Sequence, residues 1–291
     1  MKKSNLDFSF NACCMCGTND GIWFIHWGMP ALFKYSFLKK DIVMVKKIPN
    51  ISYKIAGSCF KSIVEISDKL FMVPCRASSI VIYDEKKDQF QSIELKRPVE
   101  IMFCKGFLVR DELYCVPYYY DWFVRLNVKT LKIEYISTWK EKIELEKNSF
   151  NIDATCMYKD NILGVIPFTN IILSFNTKNC NIKIQKIQGL SNITGICSTN
   201  NKVFVYDGDS LEVCVLDNSL KRVSRKKHIE MKNVYLQALP NGKIVADGID
   251  VSRQIIFDEN ICFEYMTSHK CYKRKFMKSP YCVSCWSEII S

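Results

Sequence analysis

Glycine and proline are sparse in this chain of 291 residues, at 11 and 8, and no two glycines are adjacent. Histidine occurs only at positions 26, 228 and 269, which argues against a multi-histidine metal centre. The most apolar stretch, 22–33, is interrupted by His26 and is far shorter than the roughly 18–20 apolar residues of a membrane span, so no span is expected. Lys2 and Lys3 are followed by Asn5, Asp7 and Asn11 rather than by an apolar segment, and no secretion signal is expected. A Gly-rich phosphate loop, a Gly-x-Ser-x-Gly elbow and a His-Glu-x-x-His pair are all missing. So is a helical apolar period of useful length.

What is present is ordinary globular chemistry. Hydrophobic residues make up 48% and charged residues 24%, which excludes disorder, collagen and coiled coil. Lys and Arg exceed Asp and Glu by 41 − 30, a net charge of +11. Two basic clusters, 221–228 and 270–278, contribute to it. The first falls on an expected outer strand, where lysines block sheet-to-sheet pairing, so nucleic acid is not an expected partner. Fifteen cysteines, an odd number, sit largely inside apolar runs such as Tyr114-Cys115-Val116 and Val213-Cys214-Val215. They read as small core hydrophobes of a reducing, cytoplasmic protein.

The informative signal is a period. Six apolar tetrads each precede a mostly small or acidic residue, at Ser36, Asp84, Asn127, Asn176, Asp217 and Asp258. The spacings are 48, 43, 49, 41 and 41, the length of a propeller blade. Sixteen residues before each lies a tight-turn candidate: Asp20-Gly21, Asp68-Lys69, Asp111-Glu112, Asp160-Asn161, Asn200-Asn201 and Asn241-Gly242. A β-rich run follows each turn. Every unit thus reads as strand A, tight turn, strand B, loop, strand C, short turn, strand D. Units cover about 9–48, 59–95, 101–138, 154–188, 193–226 and 233–267 of a single domain. Apolar residues run continuously in the inner strands, as in sheets covered on both faces. The expected fold is all-β, a six-bladed β-propeller of four-stranded antiparallel blades. A seventh blade would need about 40 residues, which the two ends approach only by pooling; 268–291 is read as a closing or accessory tail.

The repeated unit, typified by Lys69-Leu70-Phe71-Met72-Val73-Pro74 and Ser79-Ile80-Val81-Ile82-Tyr83-Asp84, with Ala31-Leu32-Phe33 in the first unit, resembles the kelch-like superfamily. More narrowly, it is similar to uncharacterised kelch-like propellers of anaerobic Firmicutes. The resemblance spans about residues 9–267 and implies a propeller fold without implying an activity. The missing Gly-Gly pair sets the chain apart from kelch proper.

Propellers generally bind through the B–C and D–A loops at one mouth of the ring. Unit three offers Tyr118, Tyr119, Tyr120, Asp121 and Trp122 there, aromatic faces beside an acid that suit a sugar ring or a peptide. Trp27 and Arg76 occupy the same position in units one and two, with His26, Thr169, Asn170, Asp209 and Asp250 nearby in the pattern. The expected function is a monomeric, non-catalytic binding module for a protein or glycan. The alternative is a lyase or hydrolase acting on a sugar or peptide, with His26, Asp207 and Asp247 in acid/base roles. Against it stands the reading that loop acids satisfy turn backbone groups. No cofactor is expected; the alternative is a zinc site. Cys14 and Cys16 share one face of strand A and would meet Cys282 and Cys285 if the ends converge.

Overall fold

The computed structural model describes residues 11–26, 29–51, 59–140, 151–199, 201–229, 231, 234–238, 242–248, 254–258, 260, 263–265 and 281–282. The regular elements among them are β-strands, so no helix there is long and apolar enough to cross a membrane. Six consecutive four-stranded antiparallel sheets form the blades of a six-bladed β-propeller.

Two compact units divide the chain. The first, 1–100 with 270–291, holds blades 1 and 2. Blade 1 comprises β1 (Asn11–Gly17), β2 (Gly21–His26), β3 (Ala31–Ser36) and β4 (Asp41–Lys47); blade 2 comprises β5 (Phe60–Ile66), β6 (Lys69–Pro74), β7 (Ser79–Asp84) and β8 (Gln89–Glu94). The second unit, 101–269, holds four blades. Blade 3 is β9 (Phe103–Val109), β10 (Glu112–Pro117), β11 (Trp122–Asn127) and β12 (Ile133–Thr138). Blade 4 is β13 (Thr155–Tyr158), β14 (Asn161–Val165), β15 (Ile171–Asn176) and β16 (Ile182–Lys186). Blade 5 is β17 (Ile193–Ser198), β18 (Val203–Asp207), β19 (Glu212–Leu216) and β20 (Arg222–His228). Blade 6 is β21 (Val234–Ala238), β22 (Ile244–Gly248), β23 (Gln254–Phe257) and β24 (Phe263–Tyr265).

Burial follows strand position within a blade. The second and third strands are apolar along their length and buried on both faces, as in β6 and β7, because a sheet covers each side. The fourth strand alternates between half-buried and exposed, as β4 does, because only one face meets a neighbour. Among the described residues eight cysteines, Cys115 and Cys214 included, are buried with these apolar side chains.

The residue that ends each tetrad has a structural task. Asn127 Oδ1 accepts from the backbone N–H groups of Lys129 (3.2 Å) and Thr130 (2.9 Å). Asn176 Oδ1 does the same for Lys178 and Asn179, and Asp217 Oδ1 for Ser219 and Lys221, each at 2.8 Å in the latter case. Ser36, Asp84 and Asp258 likewise accept from backbone N–H groups of their loops, those of Lys39, Lys87 and Asn260. The period is therefore a recurring side-chain cap on the hairpin between third and fourth strands. Asn127→Ala loses these two bonds together with the one from Thr130 Oγ1 and the one Nδ2 donates to Glu112, and with most of them solvent-exposed is expected to cost about 1–2 kcal/mol, read as a lower urea midpoint at constant m-value.

The hairpins between first and second strands require a correction of one residue. Lys69, Glu112 and Asn161 are not turn residues but the first paired residues of β6, β10 and β14, opposite Ile66, Val109 and Tyr158. The turns themselves are Ser67-Asp68, Arg110-Asp111 and Lys159-Asp160, with Ser67, Asp68, Arg110 and Lys159 at positive φ. Arg110 and Lys159 carry no sequence signal for that conformation, since Asn, Asp and Gly are its usual occupants. Gly21 likewise opens β2 rather than forming the turn; a Cβ there would collide with the carbonyl oxygen of Tyr35 in β3. Asn200 and Asn241 lie outside the described residues, and Gly242 has φ +79°.

In the C-terminal segment, β25 (Tyr281–Cys282) pairs antiparallel with the start of β1, Cys282 opposite Asn11 and Tyr281 opposite Ala12. Blade 1 is thereby a five-stranded sheet whose first-strand edge is covered.

Candidate binding face on the B–C loops

The B–C loop of blade 3 is fixed from both sides. The backbone N–H groups of Tyr118 and Tyr120 donate to Met102 O at 2.6 and 3.3 Å, and Tyr119 N donates to Ile101 O at 3.3 Å. From the D–A side, Trp139 Nε1 donates to Tyr120 O at 2.8 Å. Lys140 Nζ bridges Tyr119 O (2.6 Å) and Asp121 Oδ1 (2.7 Å).

That frame sorts the rings into different roles. Tyr120 is fully buried, edge-on to Phe103 (5.0 Å between centroids) and Trp122 (5.3 Å), and packs as core. Trp122 is half-buried and also meets Tyr135 edge-on. Tyr118 is half-buried, and burial pushes its hydroxyl pKa up, with Asp153, Tyr119 and Tyr235 adding to the shift. Tyr119 stands at 37% exposure, perpendicular to Tyr118 at 4.7 Å.

Blade 4 presents a second exposed ring on its own B–C loop, at a position with no aromatic cluster to mark it in the sequence. Phe168 is 85% exposed at φ +61°. It follows Pro167 in the order of a type II turn, at the position that ordinarily carries Gly. Thr169 holds the turn, its hydroxyl donating to Ile166 O at 2.7 Å and accepting from Ile171 N at 3.1 Å. Asn170 donates to Ile187 O at 3.1 Å.

Asp207 is only 2% exposed and is surrounded by donors. Its Oδ1 accepts from the N–H groups of Asn192 (3.1 Å) and Asp209 (3.2 Å), and its Oδ2 from Ser210 Oγ (3.2 Å) and Ser191 N (3.4 Å). Asp209 is exposed and accepts from Ser191 Oγ and Asn192 Nδ2, bonds that lower its pKa. The carboxylates of this loop thus tie the D–A connection 187–192 to the end of β18. Ser191 and Asn192, which complete the network, have no sequence signal beyond being polar.

The other expected residues are placed separately. His26 ends β2, half-buried, and desolvation lowers its pKa. Arg76 lies in the B–C loop of blade 2, its guanidinium 3.5 Å from Glu100. Asp247 pairs with Tyr235 and Gln254 in β22, its side chain outside the described residues. Trp27, Asp250 and Cys285 are outside them altogether. Cys14 is buried in the core shared by blades 1 and 2, Cys16 packs against that core, and burial raises the Cys16 thiol pKa. Cys282 is in β25. Among the described residues no group of three or more His, Cys, Asp or Glu is arranged to hold a metal ion.

No protein-family model and no curated protein matches the chain. Solved structures do match, all at low identity. Virginiamycin B lyase from Staphylococcus aureus, a catalytically inactive His-to-Ala variant with quinupristin, superimposes with a TM-score of 0.72 at 12% identity, over 91% of this chain and 86% of that one. The β-propeller domain of Cps50 (Swd1) from Myceliophteria thermophila gives 0.65 at 10% identity, over 91% and 88%. The WD40 domain of Neurospora crassa Pan2 gives 0.64 at 8%, over 91% and 83%. These likenesses establish the propeller fold.

Proposed function

We propose that the chain is a non-catalytic binding module that recognises a protein or glycan partner on the B–C loop face of blade 3. The observation that carries this reading is Tyr119. Its ring is exposed while the loop beneath it is locked by backbone bonds, by Trp139 and by the Lys140 bridge. A rigid amphipathic ring loses little conformational entropy on binding. Asp121, Lys140 and the half-buried Trp122 supply polar and apolar flanks. One of the propeller neighbours, that of Pan2, is a WD40 domain, which supports a binding role. In this reading the protein is a kelch-like monomer of the reducing cytoplasm, where its buried thiols persist.

Probing arrays of glycans and peptides with the intact chain tests it. Tyr119→Ala is expected to weaken any ligand found by tenfold or more, the scale of a hot-spot aromatic at about 2 kcal/mol. Stability should stay within about 0.5 kcal/mol, as for a surface site. Unchanged binding, or destabilisation on the scale of a core substitution, would make the ring structural. A second reading, an enzyme acting on a sugar or peptide, is favoured by the lyase neighbour, whose His-to-Ala variant is inactive. His26 is the half-buried imidazole that such a reading would employ.

A further inference from the structure

The fourth strand of a blade is the outer edge of its sheet. On β8 the exposed residues are Gln89, Gln91, Ser92 and Glu94, and on β16 they are Lys183 and Lys186, the polar and charged covering that keeps an edge from pairing. The edge strand of blade 1 is different. Asp41, Val43, Val45 and Lys47 are the exposed residues of β4, with Val43 at 40% and Val45 at 58% exposure. Its other face is held by blade 2: Met44 packs against the core shared by the two blades, its sulfur 3.6 Å from the Tyr83 hydroxyl, and Lys46 Nζ lies 2.6 Å from Asp88 Oδ2. The two valines are therefore fixed outward, since the strand cannot turn them in without giving up Met44 and Lys46.

The order of the exposed residues is self-complementary. Laid antiparallel on a copy of itself about Met44, the strand sets 41 against 47 and 43 against 45, so that valine meets valine and carboxylate meets ammonium at every position. A two-fold axis makes each of these contacts twice, as an isologous interface requires. Ends of like charge would repel in the same arrangement. Val43 is also the extra residue of a bulge, lying between Ile42 opposite Tyr35 and Met44 opposite Lys34. A bulged edge does not continue a regular ladder, so the contact is made by the side chains of the exposed face rather than by the backbone.

We propose that β4 is a self-association surface on which a second copy of this chain docks antiparallel, Val43 against the partner's Val45 and Asp41 against the partner's Lys47. The surface is small beside the roughly 1,200–2,000 Å² of a stable interface, so the pair is reversible and forms at high protein concentration. The inference goes beyond the binding role, whose monomer is the dissociated form of this pair. No residue of the Tyr119 loop takes part, and loss of either property leaves the other to be measured separately.

Sedimentation equilibrium of the full chain tests it, run from about 10 μM to about 1 mM, the range in which so small a contact is half-formed. The apparent mass is expected to rise from 33.9 kDa toward twice that value. Asp41→Lys and Lys47→Asp each place like charges at both ends of the pair and should weaken association about tenfold or more. An equimolar mixture of the two variants restores both opposite-charge contacts and should associate as the parent does. Val45→Lys, which sets an ammonium against the partner's Val43, should keep the chain monomeric without touching either charged end. A chain that stays at 33.9 kDa throughout, variants that associate like the parent, or a mixture no better than its components would each overturn the assignment.

Discussion

Replacing Phe123 with alanine is expected to lower the unfolding free energy by about 3–5 kcal/mol, the range for deleting a fully buried aromatic side chain. Phe123 is fully buried on β11, and its ring lies flat on that of Phe175 on β15, 4.4 Å between centroids and 10° between planes. The pair joins blade 3 to blade 4. Each ring is carried by a central strand bonded on both sides, β11 between β10 and β12 and β15 between β14 and β16. Neither sheet can close the cavity without breaking its ladder, so the void persists and the cost stays high. Urea denaturation measures it as a lowered midpoint, with secondary structure retained before the transition. Phe175→Ala should cost a similar amount, and the double variant less than the sum, because both singles break one interface. Strict additivity would show that the rings stabilise their own blades and not the junction.

Elements buried on both faces were the readable part of this fold. The runs in β6 and β7 or in β18 and β19 are continuously apolar because a sheet covers each face, and that pattern survives without any helix to compete with it. The anchor residues were readable for a different reason: Asn127, Asn176 and Asp217 must be short acceptors to cap their hairpins, so chemistry fixed the residue type at each repeat. The first hairpins were harder. Arg110 and Lys159 adopt left-handed backbone without the usual residues, because flanking strand pairs dictate the turn. The site was legible only in part. A run of three tyrosines announces an aromatic loop, but which ring is core and which is exposed depends on Phe103, Trp139 and Lys140, one preceding and two following in sequence. Phe168 was hidden because an exposed phenylalanine and a buried one look alike in sequence.

Asp207→Asn separates the binding reading from the enzymatic one. A carboxylate acting as an acid or base can be replaced by its amide with little loss of stability, since the shape is kept and only the proton chemistry goes. Asp207 instead uses both oxygens as acceptors, Oδ1 for two backbone N–H groups and Oδ2 for Ser191 N and Ser210 Oγ. An amide has one oxygen. With its NH2 group at the Oδ1 position it faces the N–H groups of Asn192 and Asp209; at the Oδ2 position it faces Ser191 N–H while the Ser210 hydroxyl turns to accept, so the second orientation is preferred and leaves the Ser191 donor unmet. With the residue 2% exposed, water does not relieve this, and the expected loss is about 2–4 kcal/mol, from an unmet buried donor together with lost charge-assisted bonds. Hydrogen exchange should locate it, with faster exchange at Ser191, whose N–H group loses its acceptor. Asp207→Ala should cost a comparable amount, since it removes both acceptors outright. An amide variant as stable as the parent, with unchanged exchange at Ser191, would free this carboxylate for chemistry and give the enzymatic reading its acid or base; a destabilised one identifies Asp207 as the residue that fixes the 187–192 loop against the end of β18.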